Sequence, residues 1–243
     1  MNGITHSVKH YYQPTNNSCS QAALAMLLSH YGQELSPEHI MESVPVGKND
    51  QGEDWGTINQ QLATWCRSQG YGVELHTADF QIIDLSWANL AQVKLIERME
   101  LAKDHRVVPA LGKAWSQIYL QSYIDFVKAG GGLYIRPFMT TGLIDDLLVN
   151  GPLLVCICYS VLYNTGRSKN IGLRESKDDD LSGKVENHSV VIYGRDKHGN
   201  YLVADPWKEP GRHVIESERL LCAMTAAQIE CDNLLFQVHR ADH

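Results

Sequence analysis

An α+β protein is predicted for this 243-residue chain. Helix-forming patterns dominate up to about residue 130, and five short strand-like runs separated by turn signals fill the last third. There is no internal repeat and no low-complexity tract that would point to a solenoid or a disordered tail. The length suits one large domain or two small ones sharing a core. A single domain over 1–243 is expected, with its helical part at about 1–130 and its sheet part at about 131–243.

The elements follow in order. Ser18-Cys19-Ser20-Gln21 opens an Ala- and Leu-rich helix that Gly32 is placed to stop, with Ser18 as N-cap and Cys19 first in the helix. Pro37, after Ser36, suits the first turn of a second helix. Trp55-Gly56-Thr57 leads into a third, Ile58 to Ser68, ended by Gly70. A strand over Gly72 to His76 and a long helix from Leu85 to Lys103 come next, then a helix over Trp115 to Lys128 and a break at Gly130-Gly131-Gly132. A strand Leu133 to Pro137, a helix Thr141 to Asn150 and a turn at Gly151-Pro152 lead into the last third. Leu153 to Tyr159, Ser189 to Tyr193, Tyr201 to Ala204, His213 to Glu216 and Leu234 to His239 read as strands. The connection Ser160 to Asn187 is long for a structureless loop and is read as a functional flap or a partly mobile segment.

Composition removes several function classes. A formal charge of −7 and the lack of a basic patch argue against nucleic acid. No run reaches the ~18 apolar residues that would span a membrane, and Met1 to Tyr12 has no secretory-signal core. The expected setting is cytoplasmic, or exported without a cleaved signal. Six cysteines without a Cys-x-x-Cys make neither a disulfide scaffold nor a zinc motif. Cys156 and Cys158 read as buried packing residues, and Cys66, Cys222 and Cys231 have no chemical context. His6 and His10 lack a third metal ligand, Asp178 to Asp180 lack calcium-loop spacing, and Gly130 to Gly132 lack the residues of a phosphate loop. No metal and no cofactor are expected. The tryptophans Trp65, Trp87 and Trp115 read as core.

Cys19 is the residue with chemical promise. The positive end of a helix and its unpaired N–H groups stabilise a thiolate, the nucleophilic form of cysteine. Gln13, six residues earlier across a Pro-Thr-Asn-Asn turn, is a candidate donor to an oxyanion beside the backbone N–H of Cys19; each such donor is worth roughly 3 kcal/mol of barrier. His188 opens a strand, and Asp205 ends the next one, so a hairpin turning at Lys197 to Asn200 brings the two to one end. A carboxylate there holds an imidazole in its productive tautomer. Asp205 has an alternative role, capping a turn before Pro206.

The order Gln13, Cys19, His188, Asp205 resembles the active site of papain-like cysteine peptidases, and the peptidase C39-like family in particular. The resemblance lies in Gln-Pro-Thr-Asn-Asn-Ser-Cys-Ser-Gln-Ala-Ala-Leu-Ala-Met-Leu-Leu, in Trp55-Gly56-Thr57 and in His-Ser-Val-Val-Ile-Tyr-Gly followed by Tyr-Leu-Val-Ala-Asp-Pro-Trp. It covers residues 7–80 and 140–210, while 85–139 has no counterpart. The chain departs from the family's frequent Asp-Cys-Gly in having Ser18-Cys19-Ser20, and the transporter to which family exporters attach this domain is absent from the sequence given. The resemblance implies a papain-like fold, its N-terminal helical half carrying the nucleophile and packed against a C-terminal antiparallel sheet half. It further implies a cleft between the halves, Cys19 as nucleophile, His188 as base, Asp205 as orienter and a peptide or protein substrate. Trp207, Asn187 and Trp55 are the substrate-binding candidates, with Trp207 also screening the His188–Asp205 bond. The same triad serves acyltransferases, transglutaminase-like enzymes and deamidases. A toxin-like effector and a peptide-binding module that has lost catalysis are the remaining alternatives.

Overall fold

The computed structural model describes residues 3–48, 52, 54–109, 111–230 and 233–240. Cys231 lies outside the described residues. A short strand β1 (Ile4–Thr5) precedes α1 (Cys19–Ser29), and Gly32 ends that helix's loop with a φ of +82°, where a glycine pays no steric cost. Helix α2 (Pro37–Ser43) starts as the sequence predicts, with the Ser36 hydroxyl accepting from the His39 N–H. The ribbon β2 (Gly47–Lys48) and β3 (Asp54–Gly56) leads into α3 (Asn59–Ser68) and then β4 (Tyr71–Thr77).

The single helix expected over Leu85 to Lys103 is instead two pieces. Asp84 Oδ1 accepts from the Ser86 N–H at 3.0 Å and caps a 3₁₀ turn, Leu85–Trp87; an α-helix, α4 (Gln92–Ala102), begins only five residues later. A side chain that satisfies the backbone locally competes with continuing the helix. Helix α5 (Gly112–Lys128), β5 (Gly132–Ile135), α6 (Thr141–Leu148) and β6 (Leu153–Cys158) follow. The long connection is built from a short helix, α7 (Tyr159–Tyr163), and a hairpin, β7 (Ser168–Gly172) and β8 (Glu175–Asp178). The chain ends with β9 (Asn187–Arg195), β10 (Tyr201–Ala204), β11 (Arg212–Ile215), α8 (Ser217–Ala226) and β12 (Leu234–Arg240).

The α+β class is borne out. An eight-stranded sheet runs β11-β10-β9-β6-β12-β4-β5, with β1 added beside β9. Its pairings are antiparallel except β4 with β5, and the sheet draws two strands, β1 and β4, from the helix-rich first half. Both faces are covered. Leu24, Leu28, Leu62, Leu120 and Tyr123 pack with Leu75, Leu154, Val191 and Phe236 on one face. Ile144, Leu148, Leu220 and Met224 pack with Val155, Ile157, Val190, Ile192 and Leu235 on the other. Every residue of β6 is therefore buried, which is why Leu-Leu-Val-Cys-Ile-Cys reads as a continuous apolar run without alternation. Each such Leu, Val or Ile contributes roughly 1.5–3 kcal/mol by leaving water. No helix among the described residues is long and apolar enough to cross a membrane.

The join that matters for the site is α1 against β9. Small residues let them approach, and the buried hydroxyls of Ser20 and Ser189 bond across it at 2.8 Å, with Cys156 Sγ 3.6 Å from Ser189 Oγ. Ser189→Ala leaves the Ser20 hydroxyl buried without that partner, at an expected cost of about 1–2 kcal/mol in urea unfolding. In a double-mutant cycle, Ser20→Ala with Ser189→Ala is expected to cost less than the sum of the singles; strict additivity would show that the bond does not hold the join.

Candidate active site

Cys19 is the first residue of α1 and is partly exposed. Ser18 occupies the N-cap position but does not cap. Its Oγ faces back into the preceding loop, 2.9 Å from the Thr15 N–H and 3.0 Å from Thr15 Oγ1. The first N–H groups of the helix thus keep no side-chain acceptor, and their partial positive charge is available to a thiolate.

His188 enters from the sheet. It is the second residue of β9, opposite Ile157 of β6, and is largely buried. The β9–β10 hairpin sets Ala204 opposite Val191, so Asp205, one residue on, falls beside His188. His188 Nε2 lies 2.8 Å from Asp205 Oδ1. A carboxylate only accepts, so Nε2 carries the proton there and the other ring nitrogen is left for Cys19, whose thiol lies close enough to the imidazole for each to shift the other's ionisation.

Electrostatics follow from this line of three. Burial alone would push the Cys19 thiol up, but the hydrogen bond to His188 and its charge outweigh burial and leave the thiol lowered. Buried Cys66, which has no such neighbour, is pushed strongly up. For His188, burial opposes the charged form, and the Asp205 carboxylate, followed by Cys19, more than reverses it to about 10. Asp205 is held well below the usual carboxylate range: burial resists ionisation, and the His188 charge and hydrogen bond prevail with help from Tyr163.

Asp205 makes the contacts of both positions that the sequence offered as alternatives. Besides His188, its Oδ1 accepts from the Trp207 N–H at 2.7 Å and the Lys208 N–H at 3.2 Å, closing the turn. Its other oxygen accepts from the Tyr163 hydroxyl. Tyr163 and its neighbour Tyr159, whose ring meets that of His188 edge-on at 5.5 Å, were not singled out by the sequence: Tyr163 lies in the segment read as a loop, and Tyr159 was the last residue of a strand. His10, considered as a metal ligand, instead bonds the Asp205 carbonyl at 2.8 Å, and His6 bonds the Leu148 carbonyl at 2.6 Å.

Gln13 is buried beside this group. Its Nε2 donates to the carbonyls of Thr15 at 2.7 Å and Asn16 at 3.0 Å, so both amide hydrogens are committed to the loop. It must release one of them to meet an oxyanion. Trp55 lines the cleft with Cys19 and His188, its ring edge-on to Trp115 at 4.3 Å; Ile58, Asn59, Tyr119 and Asn187 continue the wall of a hollow of about 520 Å³. Trp115 is therefore a cleft residue as well as a packing one. Asn187 also donates to the Ala227 carbonyl at 2.8 Å. Trp207 lines a second hollow on the other side of His188, with Gln13 and Tyr159. Asp205 has no exposed surface at all, so its bond to His188 is screened by the whole turn rather than by Trp207 alone.

Comparison with known proteins bears on the first part of the chain. No curated protein matches the chain. Among solved structures, a Bacillus anthracis protein provisionally described as a C39-like peptidase aligns over 98% of both chains with 10% identity and a TM-score of 0.48, a likeness too distant to carry an argument. Residues 5–97 match the sequence model of the Peptidase_C39 like family. The segment that holds Gln13, Cys19 and Trp55 thus carries the signature of the C39-like peptidase family.

Proposed function

We propose that the protein is a papain-like cysteine peptidase or amidohydrolase that breaks a peptide or amide bond through a thioester on Cys19. One observation carries the reading: a His188 imidazole bonded to the buried Asp205 carboxylate and lining one cleft with the Cys19 thiol. The family signature over residues 5–97 supports it. In the proposed reaction the Cys19 thiolate attacks the carbonyl carbon while His188 holds the proton. The oxyanion is met by the N–H of Cys19 and by Gln13 once it lets go of a loop carbonyl. As the C–N bond breaks, His188 passes its proton to the amine. Water then adds to the thioester, giving up a proton to His188, and the acid leaves. A peptide or protein is the proposed substrate, and an added primary amine that diverts product from acid to amide would mark transfer rather than hydrolysis.

Cys19→Ala is expected to abolish turnover while urea unfolding stays near wild type; retained activity would overturn the assignment. Tyr163→Phe removes a hydrogen bond to a charged group, worth ~1.5–3 kcal/mol, and is expected to lower turnover about 10-fold or more with the Cys19 labelling site unchanged. An unaltered rate would mean that the hydroxyl does not help to hold Asp205.

The pH dependence has a definite sign. With the thiol lowered and His188 raised to about 10, the thiolate–imidazolium pair is favoured at lower pH than a free thiol would allow and is lost above about pH 10. Iodoacetamide should label Cys19 well below the free-thiol range near ~8.5, and His188→Ala should move that labelling to ordinary thiol behaviour. Turnover should fall on the alkaline side as His188 loses its proton near pH 10. Stabilisation from His188 is complete below its unfolded value of ~6.5 and is lost as pH rises through about 10. Labelling of Cys19 like that of exposed Cys222 would refute the activated thiolate.

A further inference from the structure

Glu186 stands between the two hollows that flank the reacting atoms. It lines one with His188, Gln13 and Trp207, and the other with Cys19, Trp55 and Lys184. Its carbonyl accepts from the Tyr159 N–H at 3.0 Å, which extends the β6–β9 ladder by one step and fixes its backbone two residues before His188. Residues two apart leave a strand on the same side. The hairpin β7–β8 roofs this place, since Asn170 lines both hollows as well. The hairpin is itself tied to the nucleophile loop: the Asn16 N–H donates to the Leu173 carbonyl at 2.8 Å, and Asn16 Nδ2 to the Gly172 carbonyl at 2.5 Å.

The Glu186 carboxyl is half-buried and forms no ion pair among the described residues. Burial pushes it up, while the charges of His188 and Lys184 pull it back. Its other neighbours in the two hollows include the neutral Asn16, Asn170, Asn187, Ser168 and Ser176. Lys184 shares one hollow with Glu186 without an ion pair to it, while Arg174 lies over the rings of Tyr12 at 4.8 Å and Trp207 at 5.9 Å, and Lys208 over Tyr163 at 4.2 Å. An anion partly removed from water and held in no ion pair is costly to keep, and a cation brought by a ligand into contact with it relieves that cost.

We propose that Glu186 anchors a positively charged group on the amine side of the bond that is broken, so that the site selects substrates with a Lys or Arg side chain just beyond the scissile bond. This rests on the acyl-transfer reading of Cys19. His188 gives its proton to the departing amine, so that part of the substrate leaves past His188 and lies in the hollow that His188 shares with Trp207 and Glu186. The acyl part lies opposite, against Trp55, Ile58, Trp115 and Tyr119, a wall suited to an apolar side chain.

The test uses three S-acetyl thioesters that differ only in the charge of the thiol that departs: acetylthiocholine, S-acetyl-2-mercaptoethanesulfonate and S-acetyl-2-mercaptoethanol. In each the Cys19 thiolate takes the acetyl group and the thiol leaves with a proton from His188; the released thiol is quantified by chromatography and the acetylated cysteine is identified by mass spectrometry. The cationic reagent is expected to react at Cys19 at least about 5-fold faster than the anionic one at low salt, and less so at high salt. Glu186→Gln should bring that ratio close to one, each rate being taken relative to that with the neutral reagent. Glu175→Gln, an exposed carboxylate on the same hairpin but outside both hollows, should leave the ratio as in wild type. A ratio that Glu186→Gln does not change, or a wild-type preference for the anion, would overturn the anchor. A slow, ordinary reaction with the neutral reagent would instead count against the activated thiolate, and the two failures are told apart by which reagent reports them.

Discussion

A carboxylate with no surface open to water has to find all its hydrogen bonds inside the protein, and Asp205 is such a group. Four donors meet it: the His188 ring, the N–H groups of Trp207 and Lys208, and the Tyr163 hydroxyl. Two come from the turn that follows, one from the neighbouring strand and one from the helix inserted after β6. Their convergence keeps Asp205 ionised despite its burial, and the ionised carboxylate makes a protonated His188 favourable. That imidazolium in turn lowers the Cys19 thiol. The chain of cause runs from the buried anion outward to the nucleophile.

The same turn fastens the N-terminal segment. His10 bonds the Asp205 carbonyl, and the Gln13 N–H donates to the Pro206 carbonyl at 2.9 Å. The loop before Cys19 is therefore held by residues about 190 positions later in the chain, and α1 is held by Ser189 of β9. The family signature ends at residue 97, before any of these partners. What makes Cys19 more than a cysteine at a helix start is supplied by the sheet, so the site exists only once both ends of the chain have come together.

Much of this was legible in the sequence for physical reasons. The start of α1, its stop at Gly32 and the β9–β10 hairpin each rest on local signals: helix formers, a glycine in a left-handed turn, and strands flanking a polar turn. Those signals also placed Cys19, His188 and Asp205. Contributions that depend on distant partners were not legible. Tyr163 reads as one aromatic in a loop until α7 brings its hydroxyl to Asp205. The Gln13 amide could be placed near Cys19 by spacing, but its commitment to Thr15 and Asn16 is a matter of loop geometry. The broken helix at Trp87 and the cover of α6 and α8 on the second sheet face depend on capping and packing that apolar periodicity does not encode.

The segment between β6 and β9 ties the two sides of the cleft together. At its start, α7 sets the Tyr159 ring edge against His188 and the Tyr163 hydroxyl on Asp205. Farther along, its hairpin is bonded to Asn16, in the loop that leads into Cys19. One inserted stretch thus touches the base, its orienter and the approach to the nucleophile. Closing a loop of this length costs little more than closing a short one, because that entropy grows only with the logarithm of length. Its hydrogen bonds to Asp205 near one end and to Asn16 at the hairpin thus fasten the sheet side of the site and the approach to Cys19 to one and the same segment.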